Sequence, residues 1–209
     1  MKNKDLLKDV EKFFDEKVER LGPNPQGADY NSPEAQQVRF DQVLKILPKN
    51  NELFSLIDYG CGYGAMAEYM LQKGYQFDYQ GFDISEAMIK HARLQKPAHV
   101  NWNYTTLESD LITADYTIAC GVFNMKFDAD PEDWKSFILE SLQNLANLSK
   151  KGFSFNMLTS YSDADRMRPD LYYGDSLFFF DYCKRNFSRN VALLHDYNLY
   201  DWTILVRLS

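Results

Sequence analysis

Hydrophobic side chains recur at intervals of three and four residues along the start of the chain, with Lys and Glu between them. This interval is the period of an amphipathic helix, and it predicts a helix over residues 3–21. Gly22 and Pro23 follow the last hydrophobic position and end the helix. A second helix is predicted over residues 33–47, with Ser32 as its N-cap.

From residue 53 the pattern changes, because short hydrophobic segments alternate with segments of helical period. This alternation is typical of a parallel β-sheet whose strands are joined by crossover helices. The predicted helices lie at residues 65–73, at 85–95 with Ser85 as the N-cap, and at 131–148. The predicted strands are Leu53–Tyr59, Gln76–Asp83, Val100–Tyr104, Tyr116–Cys120 and Gly152–Leu158.

The last fifty residues break this alternation. A polar loop is predicted over residues 159–175 and a helix over 176–187, followed by strands at Val191–His195 and Trp202–Leu208. Two strands this close in sequence pair antiparallel, because a parallel pair needs a crossover of about a dozen residues or more. The pattern therefore predicts an α/β fold, with a Rossmann-like, doubly wound, mostly parallel seven-stranded sheet that ends in an antiparallel hairpin.

Length and composition are those of one globular domain. The chain has 209 residues, of which 45% are hydrophobic and 25% charged. We expect the N-terminal helices of residues 1–50 to cap a core formed by residues 51–209. The formal net charge of −7 repels phosphate backbones and no run of Lys and Arg offsets it, so nucleic acid is not an expected partner.

The cysteines bear on compartment and metal binding. Cys61, Cys120 and Cys183 are widely spaced and form no C-x-x-C pair, which argues against both a disulfide framework and a zinc site. The start of the chain lacks the apolar stretch of a signal peptide, and the longest apolar run, at 177–180, is too short to span a bilayer. We expect a cytoplasmic protein with no metal and no membrane partner.

The strongest local signal follows the first predicted strand. There, Asp58 precedes glycines at three alternate positions, Gly60, Gly62 and Gly64. Glycines allow positive φ and let a ligand lie directly on the main chain, while the start of the following helix offers unpaired N–H groups. The segment therefore predicts a loop that binds a cofactor through its backbone.

A second acidic residue, Asp83, ends the next predicted strand, 19 positions after Gly64. A carboxylate at this position can accept hydrogen bonds from both hydroxyls of a ribose. Asp83 and the glycine loop both fall at the carboxyl ends of adjacent strands, where open α/β sheets bind their ligands. Together they predict a site for a nucleoside.

The glycine loop alone does not distinguish two cofactors, since Gly60, Gly62 and Ala65 also satisfy the G-x-G-x-x-G/A pattern of NAD-binding domains. A dinucleotide would bring its pyrophosphate close to the carboxylate of Asp58. S-adenosylmethionine instead presents an ammonium and a sulfonium, which this carboxylate favours. The acidic residue and the final hairpin favour the methyl donor, and an NAD-dependent oxidoreductase is the alternative.

Residues 53–209 resemble the class I S-adenosylmethionine-dependent methyltransferases, through the glycine-rich segment 58–64, the acidic Asp83 and the final hairpin. The resemblance implies methyl transfer from S-adenosylmethionine to a small-molecule oxygen, nitrogen or carbon acceptor by direct in-line displacement. A protein that binds S-adenosylmethionine without catalysis is a further alternative.

The resemblance also implies roles for individual residues. Asp83 would hold the ribose, and Ile84 would pack on the adenine. The acidic residue that often binds the adenine amine is missing here, and a hydroxyl such as that of Thr105 would replace it. The residues implied along the methionine part and beside the transferable methyl are Gly60, Cys61, Gly62, Gly64 and Cys120.

Further candidates lie outside the glycine loop. Arg39 could pair with the carboxylate of the cofactor's methionine, and Tyr30 could form part of a lid. Asn124, after the fourth predicted strand, is the candidate for orienting the acceptor. His195 has an acidic neighbour and could act as a general base near neutral pH.

The flanking segments 30–32, 36–40, 195–197 and 200–203 are similar to those of one group within this family. The resemblance names neither the acceptor nor an oligomeric state. Methyl transfer from an already activated donor requires chiefly that the protein exclude water and align the acceptor, so no metal cluster or catalytic triad is expected.

Overall fold

The structure is a computed structural model that describes residues 2–48, 52–98 and 100–208. Within these residues the α-helices are Lys2–Leu21 (α1), Pro33–Val43 (α2), Ala65–Gln72 (α3), Glu86–Gln95 (α4), Pro131–Leu148 (α5) and Ser176–Asn186 (α6). The strands are Phe54–Tyr59 (β1), Phe77–Phe82 (β2), Asn103–Thr105 (β3), Ala114–Ala119 (β4), Ser149–Thr159 (β5), Tyr173–Gly174 (β6), Asn190–Leu194 (β7) and Asp201–Arg207 (β8).

The helices begin where their capping residues predict. The Ser32 hydroxyl accepts a hydrogen bond from the N–H of Ala35, and the Ser85 hydroxyl accepts one from the N–H of Met88. At its other end, α2 stops earlier than predicted, and a 3-10 turn over Leu44–Ile46 replaces its last turn.

One sheet forms the centre of the molecule, in the strand order β3-β2-β1-β4-β5-β8-β7. The pairs from β3 to β5 are parallel, whereas β8 runs antiparallel to both β5 and β7. The predicted α/β fold and its C-terminal hairpin are confirmed. The strand order reverses between β1 and β4, and an open α/β sheet has its binding crevice at such a point.

The sheet has one strand more than the predicted seven. The extra strand, β6, has two residues, lies within the segment predicted as a polar loop, and pairs with the end of β5. The indole N–H of Trp202 donates to the carbonyl of Gly174 over 3.0 Å, which holds this segment against the sheet. A two-residue strand within a polar segment has no periodicity that a sequence pattern could reveal.

The N-terminal helix α1 packs on α4. The Asp15 carboxylate of α1 accepts hydrogen bonds from the Ser85 hydroxyl, at 2.5 Å, and from the N–H of Ala87, at 3.3 Å. Val18, farther along α1, is buried in a cluster with Tyr63 and Met88. A carboxylate and a hydrophobic contact thus fix α1 across the carboxyl end of the sheet.

Among the described residues, no helix combines the length and the apolar composition that a membrane span requires. The same residues contain no group of three or more His, Cys, Asp and Glu side chains arranged to hold a metal ion. The cytoplasmic location and the division into a cap of residues 1–50 and a core of 51–209 stay predictions.

Candidate functional site

A cavity of about 400 Å³ lies at the carboxyl ends of β1, β2 and β4, at the crevice where the strand order reverses. Its walls include the loops that follow these strands and β3, the segment before α2, and residues of α1, α2 and α5. The volume lies within the range of about 300–1,000 Å³ that is typical of small-molecule sites. The lining is mainly apolar, with a few polar groups at the strand ends.

The glycine loop forms the floor of this cavity. Gly60 has a φ of +81°, and a Cβ added there would lie 2.4 Å from Cγ2 of Val122. The N–H groups of Gly60 and Cys61 both donate to the carbonyl of Phe82. The loop is thus fixed between the ends of β1 and β2, and only a residue without a side chain fits at its first position.

Gly64 is set apart from the other members of this loop. It is the N-cap of α3 and faces Tyr104, whose hydroxyl would lie 2.8 Å from an added Cβ. The cavity is lined by Gly60, Cys61 and Gly62 but not by Gly64. The structure therefore places Gly64 behind the cavity, where it lets α3 begin.

Asp58 lies at the end of β1, where it is 2% exposed and lines the cavity. Burial raises the pKa of its carboxyl to about 7. A hydrogen bond from the Tyr79 hydroxyl, 2.7 Å from Oδ2, opposes this shift, and the negative charge of Asp83 adds to it. The carboxyl is therefore close to its titration point at neutral pH, where a nearby cation favours the ionised form.

Asp83 follows β2 and also lines the cavity. Its Oδ2 accepts a hydrogen bond from the N–H of Gly62 over 2.8 Å, and its Oδ1 accepts one from the N–H of Ser85 over 2.9 Å. Burial raises its pKa to about 6 in spite of these two bonds. A carboxylate has about four lone-pair sites, so two remain to accept the hydroxyls of a ribose.

The loop after β3 forms the neighbouring wall. Ile84, Thr106 and Leu107 line the cavity there, whereas Thr105 does not. The Thr105 hydroxyl donates to Oδ2 of Asp110 over 2.9 Å and accepts from the N–H of Leu107 over 3.0 Å. Its hydrogen-bonding capacity is used within the loop, so the structure does not bring it to the predicted adenine position.

One face of α5 lines the cavity and was not anticipated from the sequence. The residues on this face follow helical spacing, so a polar stripe within a helix that packs on the sheet is the signal that could have revealed it. Asn144 Nδ2 donates to Oε1 of Glu108 over 3.0 Å, and the Tyr59 hydroxyl donates to the same atom over 3.2 Å. The residues of this face are Phe137, Glu140, Ser141 and Asn144.

The loop after β4 completes the wall opposite the glycine loop. Cys120 and Gly121 line the cavity beside Tyr30, whose hydroxyl lies 3.5 Å from the Cys120 carbonyl and 3.8 Å from its Sγ. Burial raises the pKa of Tyr30 well above its usual value, so the hydroxyl stays protonated. Burial also raises the pKa of Cys120, to about 12, which keeps the thiol neutral.

The charged side chains among the described lining residues of the cavity are all acidic. Asp58, Asp83, Glu108 and Glu140 line it, and the described lining residues include no Lys, Arg or His. Carboxylates in a largely apolar cavity attract a cation and repel an anion, because screening by water is weak there. The cavity is therefore suited to a ligand that carries positive charge.

The fold and this cavity can be compared with known proteins. A family model described as a methyltransferase domain matches residues 7–174, which is most of the chain. The chain belongs to the methyltransferase domain family. This match confirms the prediction of a class I S-adenosylmethionine-dependent methyltransferase, and it gives no support to the oxidoreductase alternative.

Relatives of this methyltransferase agree with the assignment. It is 46% identical over 154 residues to the Mycobacterium tuberculosis protein Rv1506c, whose name assigns it to the methyltransferases. The match spans 74% of this chain and 93% of that relative. An identity this high over most of both chains indicates a common fold and a common enzyme class.

Two solved structures share the fold. Magnesium protoporphyrin IX methyltransferase of Synechocystis PCC 6803 with bound SAH superimposes with a TM-score of 0.69 at 18% identity, over 96% of this chain and 99% of that one. The PH0226 protein of Pyrococcus horikoshii gives a TM-score of 0.61 at 15% identity, over 91% and 99%. At these identities the likeness concerns the fold alone.

Besides Gly64 and Thr105, three more residues predicted for the site of this methyltransferase do not line its cavity. Arg39 donates from Nη2 to Oδ2 of Asp201 over 2.5 Å. Asn124 accepts a hydrogen bond at Oδ1 from the N–H of Leu158, which ties the loop after β4 to β5. His195 is exposed beyond the end of β7, with its ring centroid 6.0 Å from that of Tyr161.

Proposed function

We propose that this methyltransferase binds S-adenosylmethionine in the cavity between β1, β2 and β4 and transfers its methyl group to a small-molecule acceptor. The observation that carries this proposal is the arrangement of the glycine loop and Asp83 at adjacent strand ends, both lining the same cavity. The cofactor supplies an activated methyl group, which an oxygen, nitrogen or carbon nucleophile takes by in-line displacement.

The residues present fit this cofactor. Gly60 and Gly62 line the cavity without a side chain that would fill it, so a ligand can lie on the main chain of the loop. Asp58 and Asp83 provide negative charge for a ligand that carries an ammonium and a sulfonium. We assign the methionine part to the glycine loop and Cys120.

The same cavity residues indicate where the nucleoside part of the cofactor would bind. Asp83 has two free lone-pair sites for the ribose hydroxyls. Ile84, Thr106 and Leu107 form the adjoining wall, to which we assign the adenine. The Synechocystis methyltransferase that shares the fold has structures with bound SAH and SAM, which supports the same cofactor for this chain.

The acceptor is a neutral or cationic small molecule rather than an anion. Carboxylates supply the charged groups among the described lining residues, and tyrosine and phenylalanine rings supply much of the apolar surface. These carboxylates repel an acceptor that carries net negative charge, whereas the methionine part of the cofactor brings an ammonium beside its own carboxylate. Aromatic rings, in contrast, bind both apolar bodies and cations.

The protein contributes to the reaction by alignment and by exclusion of water. The helix α1 brings Leu7, Val10 and Phe14 over the cavity, which provides the apolar cover. The roles of Asn124 and His195 in orienting or deprotonating the acceptor stay predictions, and their distance from the lining favours catalysis without either residue.

Titration calorimetry with adenosylhomocysteine and with NAD tests the proposal. We expect one molecule of adenosylhomocysteine to bind per chain and NAD not to bind. Binding of NAD without binding of adenosylhomocysteine would overturn it. Release of adenosylhomocysteine from S-adenosylmethionine in the presence of neutral and cationic acceptors then separates an enzyme from a protein that only binds the cofactor.

A further inference from the structure

Two segments that flank the glycine motif in sequence meet behind the cavity wall. Arg39, in α2, places Nη2 2.5 Å from Oδ2 of Asp201, at the start of β8. The Asp201 side chain is completely buried, and that of Arg39 is 13% exposed. The second nitrogen of the guanidinium, Nη1, donates to the carbonyl of Ala35 over 3.1 Å, so the side chain is held at two points.

Hydrogen bonds continue from this ion pair to the cavity. Oδ1 of Asp201 accepts from Nδ2 of Asn156 over 3.2 Å. Oδ1 of Asn156 then accepts from the N–H of Gly121 over 2.7 Å. Asn156 is fully buried on β5, whereas Gly121 lines the cavity. An unbroken series of polar contacts therefore joins the ion pair to the loop after β4.

A second route from the same arginine ends at the same loop. The guanidinium of Arg39 lies over the ring of Tyr30, 5.6 Å from its centroid. The Tyr30 hydroxyl packs directly on Gly121, since a Cβ added to that glycine would lie 2.9 Å from the hydroxyl oxygen. Arg39 and Asp201 thus restrain Gly121 from two sides.

Stability alone is a poor explanation for this arrangement. The desolvation cost of a buried ion pair often matches its Coulomb attraction, so apolar residues of similar volume would stabilise the fold as well. What the ion pair provides instead is orientation, because the planar guanidinium fixes the directions of several donors. Here the guanidinium lies over the Tyr30 ring and fixes the Asp201 carboxylate, whose other oxygen holds the Asn156 amide.

The restrained loop lies against the part of the glycine loop assigned to the methionine. Val122, next to Gly121, is the residue that an added Cβ on Gly60 would strike. A shift of the loop after β4 would therefore change the space beside Gly60 first. The nucleoside end, at Asp83 and Ile84, follows β2, which lies on the opposite side of β1 from β4.

We propose that Arg39 and Asp201 are positioning residues that hold Gly121 and Tyr30 against the amino-acid end of the cofactor. The inference rests on the proposed function, since it takes the cavity to be the cofactor site. Neither side chain touches the cofactor, and both act through the Asn156 amide and the Tyr30 ring.

Two probes separate this role from a structural one. Adenosylhomocysteine carries the amino-acid end, and 5′-methylthioadenosine has the same nucleoside and thioether without it. In Asp201→Asn we expect the Kd of adenosylhomocysteine to rise about tenfold and that of methylthioadenosine to stay within about twofold. Arg39→Lys, which keeps the charge but not the planar donors, should show the same selective loss. Cooperative thermal unfolding of each variant shows that it is folded.

The matched control is Asp181→Asn, which removes the carboxylate of an exposed ion pair with Arg185 on α6 and should leave both affinities unchanged. Equal changes for the two probes, or no change for either, would overturn the inference while the proposed function stands. Failure of both Asp201→Asn and Arg39→Lys to fold would assign the pair to stability and overturn it too. If the unaltered protein binds neither probe, the proposed function itself fails.

Discussion

The Tyr79 hydroxyl donates a hydrogen bond to Oδ2 of Asp58 over 2.7 Å, beneath the glycine loop, and both side chains are buried. A hydroxyl on β2 thus holds the carboxylate at the end of β1 in a fixed orientation at the floor of the cavity. The bond favours the ionised form, while burial disfavours it. The balance leaves the Asp58 pKa at about 7, where ligand charge can decide its protonation.

This balance makes cofactor binding depend on pH. S-adenosylmethionine favours the ionised carboxyl, so we expect its affinity to rise as the pH increases through about 7, the pKa of Asp58. Below this pH, binding should release a proton, which calorimetry in buffers of different ionisation enthalpy measures. In Asp58→Asn the pH dependence should largely disappear. An affinity that is constant from pH 6 to 8 in the unaltered protein would contradict this role for Asp58.

The same shift predicts how the ligand-free protein responds to pH. The Asp58 pKa is higher in the folded chain than in the unfolded one, so its contribution to stability is complete below about pH 4 and is lost as the pH rises through about 7. Relative to Asp58→Asn, the free energy of unfolding should fall by at most about 4 kcal/mol over that interval. Urea unfolding of both proteins at several pH values measures this difference. If the two free energies of unfolding change equally with pH, folding does not raise the pKa of Asp58.

Replacement of Asp83 should weaken cofactor binding. Asp83→Ala leaves the ribose hydroxyls without their acceptor, which costs about 1 to 3 kcal/mol of binding free energy. The control is Asp78→Ala, at an exposed position of β2, the strand that precedes Asp83. Adenosylhomocysteine titration of both variants measures the difference, and equal affinities would remove Asp83 from the site.

Two glycine substitutions test whether the close packing of the glycine loop on its neighbour matters. Gly60 and Gly74 share a φ of +81°, but only at Gly60 would an added Cβ meet a neighbour, Val122, at 2.4 Å. Gly74→Ala therefore measures the cost of the backbone conformation, about 1 kcal/mol. Gly60→Ala should cost more and also reduce cofactor affinity, and Val122→Ala should restore part of the loss. Equal effects of the two glycine substitutions would show that the close approach does not matter.

The attachment of α1 should matter to ligand binding. Asp15→Ala removes the acceptor that joins α1 to the start of α4, at an expected cost of about 1 kcal/mol in stability. Because α1 covers the cavity, the variant should also bind adenosylhomocysteine less tightly. Asp9→Ala, an exposed change on the same helix, is the control. Cofactor affinity that is unchanged in Asp15→Ala would show that α1 does not contribute to the site.

The sequence was sufficient for the fold because its signals are local and repeated. The capping residues Ser32 and Ser85 and the alternation of apolar strands with helices predict most elements within a few residues. The antiparallel hairpin follows from the short connection between its strands. The two-residue β6 was missed, because it depends on a contact between Trp202 and a distant carbonyl.

The candidate site likewise has residues that local sequence patterns predicted and residues that they did not. The cavity residues at the strand ends, from Asp58 to Gly62 and at Asp83, were predictable because their spacing in sequence determines their place there. Arg39 pairs with a carboxylate 162 positions away, and no local pattern specifies that partner. The cavity face of α5 was missed because its polar residues read as the exposed side of an amphipathic helix.

A crystal structure of the protein with adenosylhomocysteine tests the central claim most directly. The account predicts the ribose hydroxyls within hydrogen-bonding distance of the Asp83 carboxylate and the amino-acid end between Gly60 and Gly121. A nucleoside bound elsewhere on the chain, or reversed in the cavity with its adenine on the glycine loop, would contradict it.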